Sequence, residues 1–169
     1  MVSLMLSLAL MLLVPQAGSK ERAVDSTSAK GKNFAAFKTY AWDKGHEAYD
    51  PAVHKMIGAA IDKEMAALGF TRAEPAAADV LIRYHSLVST IVDFKSLEKP
   101  PETTKDGTTK TSQLGTLVVE MLDPARKQLW AAKTREIVDT KDPAAFDRAI
   151  GPVVARLFQT YPGRTVKSR

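Results

Sequence analysis

No cysteine occurs anywhere in the chain's 169 residues. That absence excludes disulfides, thiolate metal sites and a thiol nucleophile, and it removes the residue to which a bacterial lipid anchor is attached. Stability has to come from packing. Histidine is scarce as well, with His46, His54 and His85 the only three. No H-E-x-x-H pair, G-x-S-x-G elbow, phosphate-binding loop or dinucleotide glycine fingerprint is present, so the spacings that mark zinc proteases, α/β-hydrolases and nucleotide enzymes are missing. No internal repeat is visible.

Long hydrophobic runs are confined to the start. Val2 to Pro15, VSLMLSLALMLLVP, carries no charge and is followed by QAGS and then Lys20, Glu21 and Arg22. An uncharged core of this size fits the ~7–15 residues of a secretory leader and falls short of the ~20 that span a bilayer as a helix. Residues 1–19 are therefore expected to be a signal peptide, cleaved after Ser19, with Ala17 and Ser19 at the small-residue positions. The mature protein is expected to be periplasmic or secreted, with outer-membrane association left open, no transmembrane span and no lipid anchor. One feature departs from the pattern: no Lys or Arg precedes the apolar run. The competing reading is a buried N-terminal strand or helix.

The net charge is +5 and the pI about 9.4, a balance that can mark a nucleic-acid or anionic-membrane partner. The cations are scattered, apart from small groups at Lys20/Arg22, Lys30/Lys32 and Arg164/Lys167/Arg169, so a solvated basic surface is the favoured reading. A basic module that docks on anionic lipid or nucleic acid stays as an alternative.

Past the leader, residues 20–33 are Ser, Thr, Ala, Lys and Gly with almost nothing apolar, and are expected to be a disordered tether. Residues 34–162 are expected to form one domain, and 163–169 a basic tail. The domain opens with a short strand, Lys38 to Asp43, placing Tyr40 and Trp42 on one face. Asp50-Pro51 supplies an N-cap acceptor and a φ suited to a first helical turn. Val53, Met56, Ile57, Ala60, Ile61, Met65 and Leu68 then form one apolar stripe that ends at Gly69. TRAEPAAA reads as a loop. ADVLIRYHSLVSTIVDF alternates as a long strand, with Val80, Ile82, Tyr84, Val88, Val92 and Phe94 on one side. KSLEKPPETTKDGTTKTSQ reads as a surface loop or hairpin extension. GTLVVEMLDPARKQLWAAKTREIV reads as two strands around an Asp123-Pro124 turn, with Leu117, Val119, Met121, Trp130, Ala132 and Thr134 toward the core. A second Asp-Pro start, Asp142-Pro143, leads into Phe146, Ile150, Val153, Val154, Leu157 and Phe158 at helical spacing, interrupted by Gly151-Pro152. The order β-α-β-β-β-α suggests an α+β fold: an antiparallel sheet of about four strands with both helices packed on one face.

FKTYAW at Phe37 to Trp42, LGF at Leu68 to Phe70, ADVLIRY at Ala78 to Tyr84, GTLVVEMLD followed by LWAA, and the final LFQTYP together resemble bacterial domain-of-unknown-function family 4136. The match runs in order from about Phe34 to Pro162. The resemblance implies a small envelope protein, often a lipoprotein, with no established reaction, and it supplies no catalytic residues to carry over. The missing leader cysteine departs from the lipoprotein pattern and points to a soluble periplasmic form.

Candidate sites are few. His46, Glu47, Asp50 and His54 converge around the loop before the first helix, the one place where a metal or general base would assemble; ordinary surface residues are the favoured reading, and a hydrolase or other small-molecule enzyme using His46, His54 and Glu47 is the alternative. Ser96-Leu97-Glu98-Lys99 matches S-x-x-K, but it sits in the most polar loop without the S-D-N and K-T-G elements that pattern requires. The αβββα order is also that of a double-stranded-RNA-binding domain, yet DPAAFDRA offers two Asp and one Arg where such a helix needs cations, so no nucleic-acid partner is expected. No catalytic, cofactor-binding or metal-binding residue is assigned, and no cofactor is expected. What remains is the sheet face away from the helices, carrying Arg83, His85, Ser89, Glu120, Lys133 and Arg135 among Leu81, Leu87, Val118 and Ile137. That face could bind an envelope protein, a peptide strand or a second copy; a solvated face with scattered hydrophobes is the competing reading.

Overall fold

The computed structural model describes residues 23–92, 111–138 and 143–164. The expected signal peptide, the Ser96–Lys99 motif and most of the basic tail lie outside them. Among the described residues no helix is long and apolar enough to cross a membrane.

The strands are β1 (Asp25–Ser28), β2 (Thr39–Trp42), β3 (Thr71–Arg72), β4 (Val80–Val92), β5 (Thr111–Leu122) and β6 (Gln128–Val138), with helices α1 (Pro51–Ala67) and α2 (Pro143–Phe158). They form one six-stranded sheet in the order β1-β6-β5-β4-β2-β3. The α+β class and two helices agree with expectation, whereas the sheet differs in number and sense. It is mixed: β1, β6, β5 and β4 are antiparallel, while β2 runs parallel to both β4 and β3. The reason is connectivity. The chain leaves β2, crosses through α1 and returns beside the strand it left, and a helical crossover brings a strand back parallel.

The two extra strands are short edges that carry no apolar signature. Residues 20–33 were expected to be a tether, yet Asp25–Ser28 pairs with Trp130–Lys133. All four residues are exposed, so main-chain hydrogen bonding holds this strand rather than burial, helped by Gln128 Nε2 donating to Thr27 Oγ1 at 3.0 Å and by the Ala29 N–H donating to the Leu129 carbonyl at 2.7 Å. A composition rule that asks only what a segment buries misses such an edge. Likewise β3 lies in the expected loop, placed because the Thr71 and Ala73 N–H groups donate to the Lys38 and Tyr40 carbonyls.

Asp50 caps α1 as expected, its Oδ1 accepting from the Ala52 and Val53 N–H groups at 2.8 and 3.4 Å, and Gly69 at φ 86° ends the helix in the left-handed region that glycine enters at no side-chain cost. Pro152 lies inside α2 without ending it. Both helices cover one face. Ile57, Ile61 and Met65 from α1 and Ile150, Val154, Leu157 and Phe158 from α2 pack on Tyr40, Val80, Ile82, Tyr84, Val119, Met121, Trp130 and Ala132, the alternating set expected from the sequence. Thr134 is buried on the same side.

The core closes at the chain's two ends. Tyr161 stacks edge-on against Phe34 with centroids 5.6 Å apart, and its hydroxyl donates to the Phe34 carbonyl at 3.2 Å. Burial pushes that phenol up to about 12. Arg164, expected in a free basic tail, reaches back to Glu64 of α1 at 3.7 Å. The helices do not extend over the outer part of the β4–β5 ribbon: Val88, expected on the core side, is 58% exposed, and Leu87 on the opposite side is 49% exposed.

Candidate functional site: the open sheet face

Strand alternation sends the side chains of Leu81, Arg83, His85, Leu87 and Ser89 to the face opposite the helices, and the β4–β5 register sets Arg83 across from Glu120 and His85 across from Val118. The β5–β6 register adds Lys133 beside Val118 and Arg135 beside Thr116. The six residues expected on this face thus share it, but they do not form one site. Arg83, His85 and Glu120 meet. Lys133 turns to Asp25 on β1, 3.6 Å away. Arg135 lines a cleft of about 340 Å3 with Ala23, Asp25, Lys133 and Thr134, at the edge where β1 begins its pairing. Ser89 stands in the exposed outer ribbon opposite Leu114. Ile137's side chain lies outside the described residues.

At the centre, Arg83 Nε donates to Glu120 Oε2 at 2.6 Å, and His85 Nε2 lies 3.0 Å from the same oxygen. Burial alone would raise the Glu120 carboxyl, but the hydrogen bonds from Arg83 and His85 and the charge of Arg83, joined by that of His85 when its ring is protonated, outweigh it and hold the group below the usual carboxylate range. His85 Nδ1 accepts from the main-chain N–H of His46 at 3.1 Å. An imidazole that accepts at Nδ1 and meets a carboxylate at Nε2 is the neutral Nε2–H form. Both ring nitrogens are engaged.

Two residues that the sequence reading left out complete this cluster. Asp43, at the end of the aromatic strand, accepts from Arg126 Nη2 at 3.0 Å through Oδ1, and its Oδ2 lies 3.9 Å from Arg83 Nη1. Arg126 occupies the left-handed region at φ 62° in the β5–β6 turn. Only the Asp that follows an aromatic strand hinted at this site; its partner lies 83 residues away. Gly45 is required here because a Cβ would overlap the Tyr84 carbonyl oxygen. Below the charges, Leu81 and Leu122 join Ala41, Ala78 and the partly buried Ala73 in a small second core.

The alternative site around His46, Glu47, Asp50 and His54 divides between the two faces. His54 Nδ1 lies 2.6 Å from the Tyr84 hydroxyl, which also accepts from the Ala48 N–H at 3.3 Å. The phenol and Nδ1 share one hydrogen, so whichever tautomer His54 takes, Nδ1 is engaged with Tyr84. Glu47 approaches His54 at 3.9 Å. Burial raises the Tyr84 phenol, opposed by the Ala48 N–H and aided by Glu47, and it keeps its proton. His46 takes part through its backbone on the open face, and Asp50 is occupied as the α1 cap. Among the described residues no group of three or more His, Asp or Glu is arranged to hold a metal ion.

The same backbone occurs in solved proteins of low identity. It superposes on a PDZ domain protein from Parabacteroides distasonis with a TM-score of 0.62 and 18% identity, covering 86% of this chain and 36% of that one, so the present chain spans about a third of that protein's length. It matches a DUF4136 family protein from Bacteroides thetaiotaomicron with a TM-score of 0.58 and 16% identity, covering 84% of this chain and 96% of the other. A PelC dodecamer from Paraburkholderia phytofirmans gives a TM-score of 0.50 and 13% identity, with 80% and 92% covered. No curated protein matches the chain. The family model described as "Domain of unknown function (DUF4136)" matches residues 24–163, reaching from just before β1 to past the closing Tyr161, and the chain belongs to that family.

Proposed function

We propose that the protein is an exported cell-envelope module that works by binding through its open sheet face rather than by catalysis. The observation behind this reading is the state of its reactive groups. His85 has both nitrogens engaged, Glu120 is shared by Arg83 and His85, Asp43 faces two guanidiniums, and Tyr84 retains its proton. A general base needs a lone pair aimed at its substrate, and a nucleophile needs a way to shed its proton. The open-face cluster offers neither, and where Tyr84 meets His54 burial holds the phenol's proton. Self-neutralised charges beside half-exposed Leu87 suit a protein contact, in which paired polar groups flank an apolar anchor.

The occupant we assign to the face is a second copy of the chain; the occurrence of this fold in a PelC dodecamer supports that choice. The leader-like residues 1–19 and the membership of the family support export. Analytical ultracentrifugation of protein purified from the cell envelope tests the assembly: an oligomer is expected, with Leu87→Asp shifting it toward monomer while the circular dichroism stays unchanged. A wild-type monomer at all concentrations overturns self-association, and photocrosslinking in cells from position 87 then tests for a different envelope protein. An intact Met1 in cytosolic protein overturns export.

A further inference from the structure

His85 joins two parts of the chain: a strand of the sheet and the segment that leads into α1. After β2, residues Asp43–His46 run along the edge of β4, pinned at one end by the Asp43 N–H donating to the Ile82 carbonyl at 2.9 Å and at the other by the Ser86 N–H donating to the His46 carbonyl at 2.8 Å. The far end forms only an isolated bridge between His46 and His85. There the sole side-chain tie among the described residues is the His46 N–H donating to His85 Nδ1. This bond needs an unprotonated Nδ1. A second proton on the ring sets two N–H groups against each other, and the bond is lost. The other side of the ring has no such conflict, since Nε2 donates to Glu120 in either charge state.

We propose that His85 is a proton-operated latch: neutral, it holds the His46 end of the Asp43–His46 segment against β4, and on protonation it releases that end while tightening on Glu120. The titratable and charged residues around the ring are Glu120 from β5, Arg83 from β4, Asp43 and His46 from the segment itself, Arg126 from the β5–β6 turn through Asp43, and Lys133 on β6 beyond Val118. Because Glu120 and Asp43 already face Arg83 and Arg126, the anions near the ring are largely balanced, and the conflict at Nδ1 decides which state holds the segment. Release frees the main chain between the strand and the Ala48–Asp50 approach to α1, where the Ala48 N–H still holds Tyr84. The inference does not depend on what the open face binds.

Amide hydrogen exchange followed by NMR between about pH 8 and pH 5, the range in which imidazoles commonly titrate, tests the latch on the full chain. After correction for intrinsic rates, protection at the His46 and Ser86 amides is expected to fall roughly tenfold or more in step with the His85 ring shifts, while Asp43 stays protected. His85→Asn places an amide oxygen near the position of Nδ1 and does not titrate, so in it His46 should keep its protection across the range. Flat His46 protection while the wild-type ring titrates overturns the proposal, as does a ring that never titrates in this range. An equal loss in H85N also overturns it. The wild-type titration decides the matter even if that variant fails to fold.

Discussion

On the helix-covered face of the sheet, Asp62 of α1 receives two neutral donors, the Tyr40 hydroxyl at 2.7 Å and the Trp42 indole N–H at 2.9 Å, whereas on the open face Asp43 and Glu120 face guanidiniums. The two arrangements answer the same demand with different partners. On the helix-covered side the aromatic residues that fill the core also donate to Asp62, so one side chain supplies apolar area and a hydrogen bond, and the nearest cation, Arg72, stays 3.9 Å away and largely exposed. On the open face the carboxylates of Asp43 and Glu120 are less exposed than that of Asp62, and the guanidiniums of Arg83 and Arg126 balance their charge. Packing therefore dominates one side and charge balance the other, and substitutions should separate the two.

The largest separation is expected from truncation. Trp130, fully buried against Phe158 and Tyr161, should cost about 3–5 kcal/mol as Trp130→Ala. Leu87→Ala on the open face, where half the side chain already meets water, should cost less than about 1 kcal/mol. Urea unfolding measures both, and equal losses would remove the distinction between the faces.

Next in size is the charge cluster. Glu120→Ala leaves Arg83 and His85 without their shared acceptor and should cost about 1–2 kcal/mol, reduced from the buried-pair range because the guanidinium is partly exposed. Its pH signature has a fixed sign. A carboxyl whose folded pKa lies below its ordinary 4.5 stabilises the protein fully above that value and loses its contribution as pH falls through the lowered one. Glu120→Gln should therefore flatten the acid limb of a stability profile below about pH 4.5. An unchanged acid limb would mean that the pair contributes nothing in solution.

The helix-covered face has the opposite signature. Burial, with the hydrogen bond to Asp62 and that group's charge, pushes the Tyr40 phenol up to about 12 from 10.0. The unfolded chain ionises first, so stability falls as pH rises from about 10 toward 12. Tyr40→Phe should cost about 1 kcal/mol at neutral pH, since Trp42 still serves Asp62. It should also shrink the alkaline loss, which thermal melts at pH 9 and pH 11 would register. Tyr84 and Tyr161, likewise raised by burial, contribute to the remaining slope.

How far the sequence revealed these features follows from the range of the signals. Alternation at Val80, Ile82 and Tyr84 and helical spacing at Ile57, Ile61 and Met65 are local, and they placed the core face correctly. The Asp50-Pro51 cap was legible for the same reason. The parallel pairing of β2 with β4 depends on the path of a crossover, and β1 and β3 are held through main-chain atoms that every residue shares, so neither leaves a pattern in side-chain type. Of the central cluster, Arg83, His85 and Glu120 could be assigned to one face by parity alone. Arg126 could not, because a turn residue has no periodicity to follow, and Asp43, although it ends the aromatic strand, gave no sign of a partner 83 residues away.

Arg126 offers the smallest test and the most specific one. A non-glycine residue in the left-handed region costs roughly 1 kcal/mol, and an ion pair made by an exposed guanidinium returns about 0–1 kcal/mol. Arg126→Gly gives up the pair and relieves the backbone, so its net change should be within about 0.5 kcal/mol of zero. Arg126→Ala gives up the pair and keeps the strain, so it should be less stable than the glycine variant by about 1 kcal/mol. Repeating both in an Asp43→Asn background separates the contributions: the gap between glycine and alanine belongs to the backbone and should persist, while the difference between arginine and alanine should shrink by the value of the ion pair. If the arginine-to-alanine difference is the same in both backgrounds, Asp43 contributes nothing through Arg126, and the charge balance of the open face rests on Arg83 alone.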